Sequence, residues 1–203
     1  MFNKMLLAGA AIAAASAANA GVIFNGSGGS IPDGSGSIVS TITGPAAGTV
    51  TGFNVTIYGL QHSWLGNLTA MLTQVDSGTS VYLFRKIGAT NGNGAGRAVQ
   101  ANGDYTFSDT VGANLWTTAA GLGSGGTVDS GNFRAATLNG AFTSFSSFAG
   151  LSASGNWTLT VTDNVPGNSG SFSGWSLDLL FVPTPGALAL FGASGMILAR
   201  RRR

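Results

Sequence analysis

Few residues in this chain could carry out catalysis. His62 is the single histidine, and the chain has no cysteine and no glutamate, so its acidic residues are seven aspartates. A hydrolase needs a base within hydrogen-bond reach of a nucleophile, and a glycosidase needs two carboxylates in different environments. No Gly-x-Ser-x-Gly turn is present, and nothing singles out a pair of aspartates. The sequence therefore predicts a protein that is not an enzyme, with His62 in a structural role beside Trp64.

Three aspartates are candidates for a calcium site. Asp104 and Asp109 flank a short predicted strand, and Asp163 opens a turn before Pro166. Calcium takes several hard oxygen ligands, including the backbone carbonyls that Gly- and Asn-rich loops supply. The alternative is that each aspartate caps its own turn through a local hydrogen bond. We favour turn caps and expect no cofactor, and calcium stays open as the second interpretation.

Two tryptophans are candidates for ligand binding. Trp64 and Trp116 lie near predicted loops, where an exposed indole ring could stack on a sugar. Trp157 and Trp175 lie on the apolar side of alternating stretches and are expected in the core. Two rings are a weak signal, so a glycan- or protein-binding module is the alternative function rather than the leading one.

The elements that must hold these residues are β-strands. Apolar and polar residues alternate at 53–58, 157–162 and 175–180, which is the pattern of a strand with one buried face. Further strands are predicted at 37–42, 68–75, 79–85 and 105–107. No window predicts an amphipathic helix, although 142–151 could hold a single helical turn. Short strands separated by turns predict an all-β fold, an antiparallel β-sandwich or jelly roll.

Two glycine-rich stretches interrupt this pattern, at 88–103 and 119–131. Because they lack strand periodicity, they are predicted to be long surface loops. The body of the chain, residues 21–182, has the length of one domain, enough to bury roughly 70% of its unfolded surface.

The first 20 residues have the layout of a secretory signal peptide. Lys4 supplies the positive charge, residues 5–15 are apolar, and Ala18-Asn19-Ala20 is a small-x-small cleavage site. Signal peptidase is therefore expected to cut before Gly21, which places the body outside the cytoplasm.

Residues 183–203 form a second processing segment. Pro183 and Pro185 end the preceding strand, because proline has no N–H to donate to a sheet. The apolar stretch 186–199 is shorter than the ~20 residues that cross a bilayer comfortably. The chain closes with Arg200, Arg201, Arg202 and Arg203. These charges favour a cytoplasmic end, and the short span favours a temporary inner-membrane anchor over an ordinary permanent one.

The order of these parts resembles a known sorting signal. The run Val182-Pro183-Thr184-Pro185-Gly186, the apolar stretch and the terminal arginines are similar to the PEP-CTERM signal. The resemblance implies recognition and cleavage by an exosortase in the inner membrane of a Gram-negative-type bacterium. Thr184 departs from the pattern, because that family usually has glutamate there.

The body resembles the P/Homo B domain over about residues 50–181. The resemblance is carried by 57–68, by 155–164, and by the closing turn and strand at 167–177. It implies a β-sandwich jelly roll that, in that family, is attached to subtilisin-like proteases and supports their folding, stability and calcium dependence. Asn67 stands where the family usually has aspartate. An accessory role to a hydrolase is the less favoured function, because the sequence shows no protease motif.

The charge of the chain is concentrated at its ends. Of nine Lys and Arg residues, Lys4 and the four C-terminal arginines lie in the two processing segments. The body keeps four cations against seven aspartates, a net charge of −3, although the whole chain carries +2. A basic face is the minimum footprint of a nucleic-acid-binding protein, so no nucleic-acid partner is expected.

Together these observations predict a non-enzymatic, exported protein of the cell surface or extracellular matrix. Its expected partners are signal peptidase and an exosortase during export, and exopolysaccharide or other envelope components afterwards. The inner membrane is expected to hold it only transiently, by the C-terminal segment.

Overall fold

Strands make up most of the described part of the chain. The computed structural model describes residues 19–89 and 94–184. The strands, in chain order, are β1 (Ala20–Ile31), β2 (Ser37–Thr43), β3 (Thr49–His62), β4 (Leu68–Gln74), β5 (Thr79–Arg85), β6 (Gln100–Ser108), β7 (Ala113–Asn114), β8 (Thr127–Val128), β9 (Gly131–Arg134), β10 (Asn156–Asp163) and β11 (Gly170–Val182). The helical elements are α1 (Leu115–Ala120) and three 3-10 turns at Leu65–Asn67, Leu138–Gly140 and Phe145–Phe148.

These strands form two sheets with the hydrophobic core between them. The large sheet has the order β1-β11-β3-β6-β9-β7, with β8 also paired to β6, and the small sheet has the order β2-β10-β4-β5. The prediction of an all-β sandwich is confirmed. The pairing is antiparallel except at one side of the large sheet, where β6–β8, β6–β9 and β7–β9 are short parallel pairs.

Aromatic side chains fill the core. Trp157 and Trp175 are 0% and 1% exposed, which confirms their predicted burial. Phe53 stacks on Phe145 with ring centroids 4.4 Å apart, and Phe148 stacks on Trp157 at 5.5 Å. Burying a Phe-sized side chain contributes about 1.5–3 kcal/mol, so this aromatic cluster holds the 3-10 turn Phe145–Phe148 against both sheets.

The strand β1 is absent from the sequence-based expectations. It pairs with β11 along its length, from Ala20 opposite Phe181 to Ile31 opposite Gly170. The glycines of β1 obscure the alternation pattern in the sequence, but close packing requires at least one of them. A Cβ atom on Gly26 would lie 2.1 Å from the indole nitrogen of Trp175. Glycine in a strand often marks such a close approach, and here it seats the strand over the buried tryptophan.

The prediction that 88–103 and 119–131 are surface loops is wrong in part. β6 begins at Gln100, and both β8 and the first residue of β9 lie in the second stretch. The reason is again close packing at a glycine: a Cβ atom on Gly103 would lie 2.4 Å from the Ser130 hydroxyl oxygen. These short pairings come from contacts between distant segments, which an alternation pattern does not reveal.

The helical content also differs from the expectation in one place. The single turn predicted within 142–151 is confirmed at Phe145–Phe148, but the six-residue helix α1 was not predicted. Asn114 begins this helix, because its side-chain oxygen accepts a hydrogen bond from the Trp116 N–H at 2.9 Å. No helix within the described ranges is long and apolar enough to cross a membrane. The predicted signal and sorting segments fall mainly outside the described residues, at 1–18 and 185–203.

Candidate functional site

A buried histidine–aspartate pair lies at one end of the sandwich, where β3 and β10 both finish. His62 is 3% exposed and Asp163 is 0% exposed. The Nε2 atom of His62 lies 3.1 Å from the Oδ2 atom of Asp163. The two residues are 101 positions apart in the chain, so the pair ties the last residue of β3 in the large sheet to the last residue of β10 in the small sheet.

The second ring nitrogen of His62 is also occupied. Its Nδ1 atom lies 3.1 Å from the backbone N–H of Trp64, which donates to it, and 2.9 Å from the Trp64 carbonyl oxygen. The other carboxylate oxygen of Asp163 accepts a hydrogen bond from the Val165 N–H at 3.1 Å. With both nitrogens committed to fixed partners and the ring buried, His62 has no free nitrogen with which to take a proton from a substrate.

Three asparagines form a hydrogen-bond network at the same end of the sandwich. Asn164 donates to the Asn67 carbonyl oxygen at 2.6 Å, and the Asn67 side-chain amide donates to Asn168 at 3.3 Å. Asp33 holds the loop above them by accepting the backbone N–H groups of Gly167 and Asn168. Sequence reasoning missed this network, because its members come from separate segments, and the Asx-rich turns were the one available signal.

One atom of the network is left over. The side-chain oxygen of Asn67 is buried and has no hydrogen-bond partner in the part of the chain that the structure describes. An unsatisfied buried acceptor costs about 1–3 kcal/mol, so a bound water at this position would stabilise the corner.

The three candidate calcium ligands lie in three different places. Asp163 binds His62, as described above, and the Oδ1 atom of Asp104 accepts the Gly59 N–H at 2.7 Å. Gly59 has φ of +57° at a bulge in β3, so Asp104 fastens that bulge. Asp109 accepts hydrogen bonds from the Phe145 N–H and the Ser144 hydroxyl, both at 3.1 Å.

This arrangement does not suit a shared ion. Across residues 19–89 and 94–184, no three His, Cys, Asp or Glu side chains form a group that could hold a metal. Asp163 caps its own turn through the Val165 N–H, as aspartate usually does in such loops, whereas Asp104 and Asp109 accept hydrogen bonds from segments distant in the sequence. The candidate ligands therefore do not fit one calcium site.

The two candidate binding tryptophans are half-buried and lie apart. Trp64 follows His62 and donates its indole N–H to the Gly96 carbonyl oxygen at 3.0 Å. Trp116 lies in α1 and packs against the edge of the core. Each residue is therefore partly used in structural contacts, Trp64 through its indole N–H and Trp116 through packing.

The processing residues within the described ranges lie at the opposite end of the sandwich from His62. Ala20 begins β1 and pairs with Phe181, and Gly21 pairs with Leu180. Pro183 and Thr184 follow directly after the end of β11. The other predicted processing residues, Ala18, Pro185 and Arg200–Arg203, lie outside the described residues.

An open cleft of about 590 Å³ crosses the large sheet beside His62. We call it the end cleft. Its lining residues come from β1, β3, β6 and the start of β11, and they are Ser30, Ile31, Gln61, His62, Ser63, Gln100, Ala101, Asn102, Ser169, Gly170 and Ser171. Sequence reasoning missed this cleft, because four separated strands supply its polar residues one or two at a time.

Comparison with known proteins gives one family match. The model of the proprotein convertase P-domain matches residues 127–179, which run from β8 to within β11. This part of the chain is P-domain-like. The match supports the resemblance to the P/Homo B domain there, whereas the resemblance of 57–68 lies outside the matched residues and stays a prediction.

The other comparisons add little. No curated protein matches the chain. Two crystal structures of the serine protease of Aeromonas sobria, one of them in complex with a chaperone, are similar to 81% and 80% of this chain, with sequence identities of 18% and 17% and TM-scores of 0.44. The chain spans only 27–28% of the length of that protease.

Proposed function

We propose that this protein is a non-enzymatic, P-domain-like β-sandwich that is exported to the cell surface or extracellular matrix. In this proposal signal peptidase removes residues 1–20, and an exosortase in the inner membrane processes residues 183–203. The termini support it through their residue order, and the P-domain match supports a module of the kind found beside other domains. Its role is to provide stability, adhesion or spacing within the envelope or exopolysaccharide layer.

The observation that carries the non-enzymatic part is the state of His62. It is the single histidine of the chain, it is 3% exposed, and both of its ring nitrogens have protein partners. A histidine that acts as a general base must present a ring nitrogen within hydrogen-bond reach of the substrate proton. His62 instead fixes the corner between the two sheets.

The positions of the first and last strands support delivery by the tail. β1 and β11 are antiparallel neighbours, so Ala20 lies beside Phe181 at one end of the large sheet. The 12 residues of β1 then run to Ile31, which lies next to the end cleft. At about 3.3 Å per residue this distance is roughly 36 Å. A tail held in a membrane after Pro183 would leave the end cleft on the side of the body that faces away.

Intact mass spectrometry tests the export and both cuts. The protein is recovered from culture medium, envelope and cytosol of the producing bacterium and of a strain that lacks the exosortase. We expect a species that begins at Gly21 and has lost its C-terminal arginines in the first strain, and a species cut only at Gly21 in the second. Full-length protein in the cytosol, or identical masses in both strains, would contradict the proposal.

A separate measurement tests the absence of catalysis. Hydrolase activity-based probes are applied to the purified protein and to the His62→Gln variant. We expect neither to be labelled. Labelling of the wild type that disappears in the variant would mean that His62 acts as a base, and would overturn the assignment.

A further inference from the structure

The end cleft has an unusual combination of shape and chemistry that the proposed function does not use. It is concave, and six of its lining residues are neutral hydrogen-bonding residues that are exposed at its rim: Ser30, Gln61, Ser63, Gln100, Asn102 and Ser169. No aspartate, lysine or arginine lines it. Three aspartates and an arginine lie elsewhere on the same sheet, at Asp104, Asp178, Arg134 and, just beyond β6, Asp109. The cleft is therefore a neutral polar area beside charged surface.

Much of the hydrogen-bonding capacity in the cleft is free. The hydroxyl groups of Ser30, Ser169 and Ser171 have no hydrogen-bond partner within the described residues, and all three line the cleft. Gln61 donates one amide N–H to the Asn102 side-chain oxygen at 3.4 Å. This contact leaves the Gln61 oxygen to accept and the Asn102 amide to donate. Donors and acceptors thus alternate across neighbouring strands.

Gly170, which lines the cleft, packs tightly against His62. A Cβ atom at this position would lie 2.4 Å from both the Gln61 carbonyl oxygen and the Cδ2 atom of His62. The His62–Asp163 pair fixes the end of β3 that carries Gln61. The polar side chains of the rim are therefore mounted on a rigid support, which reduces the ordering cost of binding.

This chemistry selects one class of ligand. An anionic ligand would find no cationic side chain in the cleft, and a cationic ligand would find no carboxylate. A neutral molecule with several neighbouring hydroxyl groups can donate and accept at the same time, as the free amide and hydroxyl groups require. We infer that the end cleft is a binding site for uncharged, hydroxyl-rich glycan. This inference rests on the proposed function, and it identifies such a glycan as the matrix component that the module binds.

The binding mode differs from the one predicted from the tryptophans. Neither Trp64 nor Trp116 lines the end cleft, so recognition rests on hydrogen bonds without ring stacking. A few hydrogen bonds without ring stacking give a weak single site, with Kd on the order of 1 mM. Such a site becomes effective on a polymer that offers many copies of the same unit.

Affinity electrophoresis of the full-length protein tests the inference. Native gels contain one of three neutral polysaccharides (dextran, mannan or xyloglucan) or the anionic polysaccharide alginate. The test variant is Gln61→Ala with Asn102→Ala, and the matched control is Thr73→Ala with Thr158→Ala on the outer face of the small sheet. We expect retardation by at least one neutral polysaccharide, roughly tenfold weaker in the test variant and unchanged in the control.

Three outcomes would overturn the inference. They are no retardation by any neutral polysaccharide, equal retardation of wild type and test variant, or stronger retardation by alginate. Thermal melting checks that the test variant is folded. If it is not, the Ser169→Arg variant is used instead, because it adds bulk and charge at an exposed rim position. The same loss of retardation is expected for it. If both terminal cuts are found but no neutral polysaccharide binds, only glycan binding at the end cleft is rejected. If the protein binds but is found uncut in the cytosol, only the proposed export is rejected.

Discussion

Tyr105 offers a quantitative test of the packing between the two halves of the large sheet. Its side chain is 1% exposed. Its hydroxyl donates to the Val128 carbonyl oxygen at 2.6 Å and accepts the Asn102 N–H at 3.1 Å. Burial raises its pKa from 10.0 to about 12, with smaller contributions in the same direction from Asp129 and Asp104 and an opposing one from the Asn102 N–H.

The direction of the pH effect follows from this raised pKa. In the unfolded chain the phenol ionises near pH 10, whereas in the folded protein it stays neutral until about pH 12. The contribution to the free energy of unfolding is therefore complete below pH 10 and is lost as the pH rises from 10 to 12. At about 1.4 kcal/mol per pH unit the loss would reach about 2.7 kcal/mol. We expect about 2 kcal/mol, because water can enter beside the short strand β8 and partly solvate the phenolate.

The assay is urea unfolding of the wild type and of Tyr105→Phe, followed by circular dichroism at intervals from pH 8 to pH 12. At pH 8 the variant should be less stable by about 1–3 kcal/mol, because the Val128 carbonyl loses its buried donor. Above pH 10 the gap should close by about 2 kcal/mol, since only the wild type has a phenol at position 105 whose ionisation stabilises the unfolded chain. A gap that stays constant across this range would refute the assigned burial of Tyr105 and its effect on the pKa.

Three further outcomes are expected. Asp163→Ala should lower the free energy of unfolding by about 3 kcal/mol in urea unfolding, because it leaves His62 buried without its partner; a loss below 1 kcal/mol would mean that the pair does not tie the sheets. Gly26→Val should lower the free energy of unfolding by at least 1–3 kcal/mol, because the added side chain would press on Trp175. The control Gly123→Ala has nothing within 4 Å of its added Cβ and should change the free energy of unfolding by no more than about 0.5 kcal/mol. Equal effects of the two variants would argue against the close contact of β1 with Trp175. Melting curves with calcium and with a chelator should coincide, because the candidate aspartates lie apart; a shift of several degrees would reveal an ion that those residues do not explain.

The alternation rule located the strands whose two faces meet different environments. β10 and β11 carry Trp157 and Trp175 inward and hydroxyl or charged residues outward, so their period of two is visible in the sequence. The same rule located β5 at its observed bounds. Where a strand packs by its backbone, as β1 does over Trp175, glycine replaces the apolar residues and the pattern disappears.

The candidate site was less accessible from the sequence than the fold. The sequence indicated a structural role for His62, but not its partner, because Asp163 lies 101 residues away and six other aspartates were equally available. The end cleft is harder still, since Ser30, Gln61, Asn102 and Ser171 become neighbours only through the pairing of four strands. Long-range register decides such sites, and single-sequence patterns carry little information about register.

If the protein is exported as proposed, the pairing of the first and last strands would set the order of the processing events. Ala20 and Gly21 lie within β1, opposite Phe181 and Leu180, and a peptidase needs an extended chain that is not already paired in a sheet. If signal peptidase cuts after Ala20, as proposed, the cut must precede the docking of β1 onto β11. Because β11 is the last strand before Pro183, that docking must await export of almost the whole body. The pairing of β1 with β11 would then be among the last steps of folding. An exosortase step slower than this pairing would act on a body whose end cleft is already formed.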